Sequence, residues 1–425
     1  MKQLLSLIVL VVVFASATSA QWQNQGAWPS VDFKGGTGAH GLAVDPDGKV
    51  WVQPYAATDS IMTGGGMLPT QVIYVFNPDG SQASFSPIKT IPMPGGVVDT
   101  VRGNSGRGLR AMANGNIVAS QGFSAYVINY QTGAGIAKYN TGVYNFCAAG
   151  VDDNNNIYLS AVLGGYPLLM FDENMNSLGN ALDTINNIGR TLDVTGDGLT
   201  IFSPRYTANY VDKFVRQDEF SPFVFVDSAF KGIACESTQW DKNGRLWLSG
   251  GSYLNKPLDT TVYTPGVWYA FDHNTEVKLD SMAWVYTTPY SPDERPRAID
   301  FSVDGKYAYV ACFGGSGYPY VQRLYNPNVD VNDGVAVVSD YTLDQNFPNP
   351  FNPTTEIRFS LKNAGHVSLK VYDMLGNQVA DLINAQRAAG THTVSFDGKN
   401  LASGTYVYQL VVNNVRLANK MMLIK

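Results

Sequence analysis

Arginines and a single histidine recur at equivalent places along this chain. Eight residues ahead of six turn residues stand His40, Arg107, Cys147, Arg190, Glu236 and Arg297. Gathered round one opening, three guanidinium groups and an imidazole would make a locally positive site. An arginine fork matches a carboxylate, sulfate or phosphate better than a lysine point charge does. The ligand such a ring would take is an acidic small molecule or the acidic end of a saccharide. Arg205, with Gln53, Gln121, Tyr206 and Tyr253, falls where second strands end and should rise to the same opening. Tyr290 and Tyr318 would complete an aromatic rim there. His40 or Glu236 could move a proton, which extends the reading to catalysis. Against both stands a plainer arrangement, in which Glu236, Asp193 and Asp300 pair with the arginines and plug the opening with buried ion pairs.

The elements that would position these residues are repeats. GLAVDPDGKVWV (41–52), GLRAMANGNIVA (108–119), AAGVDDNNNIYL (148–159), TLDVTGDGLTIF (191–202), STQWDKNGRLWL (237–248) and AIDFSVDGKYAY (298–309) each read as strand, tight turn, strand. Their turn residues Gly48, Gly115, Asn155, Gly198, Gly244 and Gly305 are of types that accept positive φ. A third apolar strand follows most hairpins, as in VIYVFNPDG (72–80) and VWYAFDHNTE (267–276), and weaker versions lie at 210–214 and 320–325. Residues 21–330 divide into six units of about 52 residues, close to the length of a propeller blade. The excess falls in stretches rich in Gly, Pro, Ser and Thr, at 56–70, 86–106 and 250–266, which read as loops. The fold expected is all-β, a six-bladed β-propeller over 21–328, with the segment after Gln21 adding an outer strand that closes the ring. A degenerate seventh blade in the first 38 residues or within 329–342 is the alternative.

Composition narrows the function. Of 425 residues only 15% are charged, with 42 Gly, 21 Pro and 24 Tyr, which suits short strands and turns. Ahead of Leu343 the chain holds 21 basic against 30 acidic residues, so a broad basic face for nucleic acid is lacking. The three cysteines, Cys147, Cys235 and Cys312, are an odd number in apolar strand-like surroundings and read as buried hydrophobes. Asp45-Pro46-Asp47-Gly48 and the run from Asp193 to Gly198 hint at calcium loops but lack the twelve-residue ligand pattern and its closing Glu. The four histidines, His40, His273, His366 and His392, are too dispersed for zinc spacing. A nucleophile elbow, a phosphate loop and a dinucleotide fingerprint are all missing, so neither cofactor nor metal is implied.

Both ends of the chain speak of export. Lys2, the apolar run 4–15 and the small residues Thr18-Ser19-Ala20 have the layout of a signal peptide over residues 1–20, cut before Gln21. No later run reaches the roughly twenty apolar residues of a membrane-spanning helix. After a short polar connection at 329–342, residues 343–425 carry QNFPNPFNPTT (345–355), VSLKVYDMLGNQV (367–379), AGTHTVSFDG (389–398), SGTYVYQL (403–410) and KMMLIK (420–425). Alternation at 356–361, 366–374, 392–398 and 405–412 marks strands of a small sandwich. This order of motifs resembles the C-terminal sorting domain of the type IX (Por) secretion system, an immunoglobulin-like domain. The resemblance implies a partner, the type IX secretion machinery, and a location outside the cell or on the outer-membrane surface. It also implies removal of the domain near residues 330–343, followed by release or lipopolysaccharide anchoring.

The blade motif at 41–52 is similar to those of NHL-type and lyase propellers, which host binders and enzymes alike. With no metal-ligand set evident, the favoured expectation is a non-catalytic binding or scaffold module with an anionic-ligand site at Arg107, Arg190, Arg297, His40 and Arg205. The alternative is a secreted lyase or lactonase-like hydrolase acting on an acidic or sugar substrate, with His40 or Glu236 moving protons.

Overall fold

The computed structural model describes residues 22–30, 38–102, 108–186, 189–205, 208–250, 263–285, 295–313, 321–327, 341–361, 364–374, 376–387, 390–412 and 415–425. The residues 41–309 that read as repeats build six antiparallel sheets. Blade 1 holds Ala39–Val44, Val50–Pro54 and Tyr74–Phe76; blade 2 holds Gly108–Ala111, Ile117–Gln121, Ser124–Ile128 and Gly135–Asn140. Blade 3 runs from Phe146–Val151 through Ile157–Ala161 and Tyr166–Phe171 to Ser177–Ile185, and blade 4 from Asp193–Val194 through Thr200–Pro204 and Val211–Val215 to Val224–Ala229. Blade 5 comprises Thr238–Trp240, Leu246–Ser249, Val267–Phe271 and Lys278–Ala283. In blade 6, Arg295–Phe301, Tyr307–Phe313 and Val321–Tyr325 are completed by the N-terminal strand Gln23–Ala27, which is the outer strand expected after Gln21.

Six apolar clusters close these sheets into a ring, one at each interface. Ala43 and Trp51 of blade 1 meet Leu109 and Ile117 of blade 2. Val118 meets Phe146 and Ala149 of blade 3, and Tyr158 and Leu168 meet Val194 and Ile201 of blade 4. Phe202 of blade 4 packs with Leu246 and Phe271 of blade 5, while Trp247 and Trp268 pack with Ile299 and Val310 of blade 6. Leu42 and Val44 then join Ala298 and Tyr309, returning the ring to blade 1. Because each blade is covered on both faces, its inner strands are buried throughout instead of alternating, as Ala39–Val44 and Val50–Pro54 show.

The turns rest on a repeated carboxylate. Asp45, Asp152 and Asp241 each accept two backbone N–H bonds on one oxygen, from the residues two and four further on. The second oxygen accepts a hydrogen bond from the aromatic side chain six residues on: Trp51 Nε1 at 3.0 Å, the Tyr158 hydroxyl at 3.1 Å and Trp247 Nε1 at 2.8 Å. In blades 4 and 6 the pairs Thr195 with Asp197 and Ser302 with Asp304 take over this role. Of the aspartates that hinted at calcium loops, Asp45, Asp47 and Asp197 are held by N–H and O–H donors of their own hairpins, whereas Asp193 accepts from Arg110 of blade 2. The left-handed φ expected at the turn residues is present at all six, from 62° at Asn155 to 89° at Gly115.

Two stretches read as loops carry strands. Within 56–70, Asp59–Thr63 pairs with Gly66–Thr70, and within 86–106, Thr90–Pro92 pairs with Val98–Thr100. Lys89 and Asp59 tie the two insertions together at 2.8 Å. The third stretch, 250–266, lies mostly outside the described residues.

The C-terminal domain is a two-sheet sandwich. Thr342–Leu343, Thr354–Leu361 and Gly390–Asp397 form one sheet; Gln378–Arg387, Gly365–Tyr372, Gly404–Val412 and Val415–Leu423 form the other. Alternation in Gly404–Val412 sends Tyr406, Tyr408, Leu410 and Val412 into a core with Phe351, Ile357, Phe359 and Leu369. The strands Gln378–Arg387 and Val415–Leu423 were not foreseen from the sequence pattern.

Candidate functional site

Each innermost strand runs from one end of the propeller towards its hairpin turn, so the residues eight positions ahead of the turns lie at the opposite end. Arg107 falls outside the described residues, as do Tyr206, Tyr253, Tyr290 and Tyr318. Of the remainder, His40, Glu236 and Arg297 are brought together. The Arg297 guanidinium forms an ion pair with the Glu236 carboxylate, both buried. Its carbon sits 5.1 Å from the centre of the Phe313 ring. The imidazole of His40 packs on that same ring at 4.7 Å and on Tyr55 at 4.5 Å, fully buried. Tyr55 and Phe313, the two rings that organise this group, were missed in the sequence because they stand at different offsets from their turns, Tyr55 just after the second strand of blade 1 and Phe313 at the end of that of blade 6.

Cys147 and Arg190 belong to a second arrangement. Gln53 Nε2 of blade 1 donates to Ser120 O of blade 2 at 3.2 Å, and Ser120 Oγ donates to Cys147 O of blade 3 at 3.1 Å. The Cys147 thiol then points to Arg190 O of blade 4 at 3.7 Å. One polar contact per interface thus stitches blades 1 to 4 near the mouth. Arg205 stands in its own hairpin, where Nε donates to Asp212 Oδ2 at 2.6 Å and the guanidinium carbon lies 5.5 Å from the Tyr210 ring centre.

Three residues deeper, the positions five ahead of the turns are Ala43, Arg110, Gly150, Asp193, Gln239 and Asp300. Here the axis is crossed. Arg110 of blade 2 extends to blades 4 and 5, donating from Nη2 to Asp193 Oδ2 at 3.1 Å and to Thr238 O at 2.8 Å. Thr191 Oγ1 and Thr238 Oγ1 lie 2.6 Å apart beside it. Asp300 of blade 6 accepts from Val44 N at 2.8 Å and from its neighbour Phe301 N at 2.7 Å. Burial pushes the Asp300 carboxyl up to about 7 against the pull of these donors and of Arg110. Asp193 is raised by the same cause, with Arg110 opposing it. Arg110 was legible in principle, since the repeat alignment that selects the mouth ring also lines up this basic and acidic set.

Chemically, three arginines of the propeller face carboxylates: Arg297 with Glu236, Arg110 with Asp193 and Arg205 with Asp212. An anion arriving at Arg297 has to compete with Glu236 for the fork. Among the described residues, no group of three or more His, Cys, Asp or Glu is arranged to hold a metal ion.

The comparisons with known proteins bear on the tail. Residues 345–425 match the family described as a secretion system C-terminal sorting domain. No curated protein matches the chain. Among solved structures, PorZ, an essential bacterial surface component of the type-IX secretion system of Porphyromonas gingivalis, aligns with a TM-score of 0.39 and 13% identity, over 91% of this chain and 52% of that one. This chain therefore spans about half the length of that protein. A virginiamycin B lyase from Staphylococcus aureus aligns with a TM-score of 0.42 and 11% identity, over 72% of this chain and 99% of the other. A protein of unknown function from Bacteroides caccae aligns at 0.41 and 10%, over 60% and 86%.

Proposed function

Taking residues 345–425 as a secretion sorting domain that directs the chain to the cell surface or the extracellular space, we propose that the propeller is the cargo and works there as a non-catalytic binding or scaffold module. Residues 1–20 serve as the signal peptide for the first membrane crossing. The ligand site is the mouth formed by His40, Arg190, Arg205 and Arg297, with Arg107 from the same ring position, and its ligand is an acidic small molecule or saccharide end. What carries the choice of binder over enzyme is the engagement of both proton-moving candidates. Glu236 is committed to Arg297, and His40 is enclosed by Tyr55 and Phe313. Binding needs only that a ligand carboxylate or sulfate replace Glu236 on the Arg297 fork or engage Arg190, whereas turnover by a lyase or lactonase-like hydrolase needs a free base.

Calorimetric titration of the full chain with acidic and neutral saccharides tests this, using R190A and R297A as variants. Binding of an acidic ligand that weakens about tenfold or more in these variants, without product formation, is expected. Turnover that disappears in H40A would establish the hydrolase or lyase instead.

A further inference from the structure

Two segments from opposite ends of the sorting domain lie side by side. Gln345 Nε2 donates to Lys420 O at 2.7 Å, Met422 N to Asn349 Oδ1 at 2.9 Å, Phe351 N to Met422 O at 2.9 Å and Ile424 N to Phe351 O at 3.0 Å. The Asn/Pro-rich opening of the domain is thereby laced to its last strand, with Phe351 and Leu423 bridged in parallel. This run is also anchored inward. Asn346, 2% exposed, donates from its backbone to the Tyr408 hydroxyl and from Nδ2 to Pro348 O and Thr355 Oγ1. Phe351 is likewise 2% exposed, within the sandwich core.

Between these two anchors, Phe347 does the opposite. Its backbone N–H and C=O are both bonded to Glu356 at 2.9 Å, yet its ring is 80% exposed. A chain fixed on both sides of the residue imposes that exposure on the ring. On the neighbouring strand, burial alternates, with Met421 and Leu423 inward and Lys420, Met422 and Ile424 outward. Met422 and Ile424 are 46% and 49% exposed. An aromatic ring presented at no further conformational cost, in a segment bonded along the strand that exposes Met422 and Ile424, has the make-up of an interface hot spot.

We infer that Phe347, Met422 and Ile424 form one docking patch, read by a protein of the export machinery through an apolar pocket with an acidic rim. Lys420 and Lys425, exposed beside the patch, supply the complementary charge. Three side chains are far too small an area for a stable dimer of this chain. The inference rests on residues 345–425 acting as the sorting domain, and it names the surface of that domain which the partner recognises.

The test is export of the full chain from a bacterium that has this secretion system, comparing wild type, F347A, F347L, M422S/I424S, K420E/K425E and a chain ending at residue 344. Purified F347A should keep the wild-type unfolding midpoint, since the ring touches solvent. Its exported fraction should fall about tenfold or more, as should that of M422S/I424S, with the protein retained in the periplasm. F347L should recover a large part of the loss, and K420E/K425E should bind the isolated machinery more weakly than wild type at low salt, with the difference shrinking at high salt. Full export of both F347A and M422S/I424S, with the chain ending at 344 retained, overturns the patch and leaves the sorting domain standing. Export of the chain ending at 344 overturns the sorting premise itself. Should M422S/I424S fail to fold, F347A with its unchanged midpoint decides alone.

Discussion

Arg110 on blade 2 reaches across the propeller axis to Asp193 on blade 4, 3.1 Å away, with both side chains buried. The pair ties together blades that share no interface, and backbone oxygens at Leu192 and Thr238 accept from the same nitrogen. A channel crossed in this way is a structural plug, which leaves ligand chemistry to the mouth.

Removing one partner of this pair should be costly. In R110A the Asp193 carboxylate stays buried without its cation, and the propeller transition in urea should lose about 3 to 5 kcal/mol. The double variant R110M/D193L, apolar on both sides, should recover a large share of that loss. Equal losses in both variants would mean that packing, not charge, sets the value of the site.

Asp300 gives the propeller a pH dependence of defined sign. Its folded-state carboxyl sits at about 7, above the ordinary value of about 3.9 for an unfolded chain. Between these values the folded state holds a proton that the unfolded state has released. Its contribution is complete below about pH 4 and declines as the pH rises towards 7. Urea midpoints measured from pH 4 to 8 should show this decline in the wild type and a flatter profile in D300N.

The turn aspartates should behave alike. D241A orphans the Trp247 indole N–H and the backbone N–H groups of Asn243 and Arg245, a loss of about 3 kcal/mol. D241N keeps one acceptor oxygen and should cost less. Addition of calcium or a chelator should leave the midpoint of the wild type unchanged if these carboxylates serve only their hairpins.

Much of this architecture was legible because its signals are local. A turn that demands left-handed φ restricts its residue to Gly or Asn, so six such turns at matching offsets mark six hairpins whatever the rest of the sequence does. The Asp-to-aromatic spacing at Asp45 and Trp51, Asp152 and Tyr158, and Asp241 and Trp247 is equally local, though it becomes meaningful only once the hydrogen bonds are seen. The hairpin at Asp59–Thr63 and Gly66–Thr70 was not legible because three glycines and a proline suggest a loop, while its strands pair through their backbones. The site was harder to read. Whether Arg297 faces solvent or Glu236 is decided by side-chain reach between neighbouring blades, and spacing within one strand carries no information about that. Arg110 shows the same limit: a shift of three residues along the strand moves a side chain from the mouth into the plug.

The division of labour between tail and propeller is open to one decisive measurement: fractionation and intact-mass analysis of the full chain and of a chain ending at residue 344, both produced in a bacterium with this secretion system. The full chain should reach the cell surface or the culture fluid, and the shortened chain should remain in the periplasm with its propeller folded. A shortened chain found outside the cell in the same proportion as the full one would contradict the assignment of export to residues 345–425.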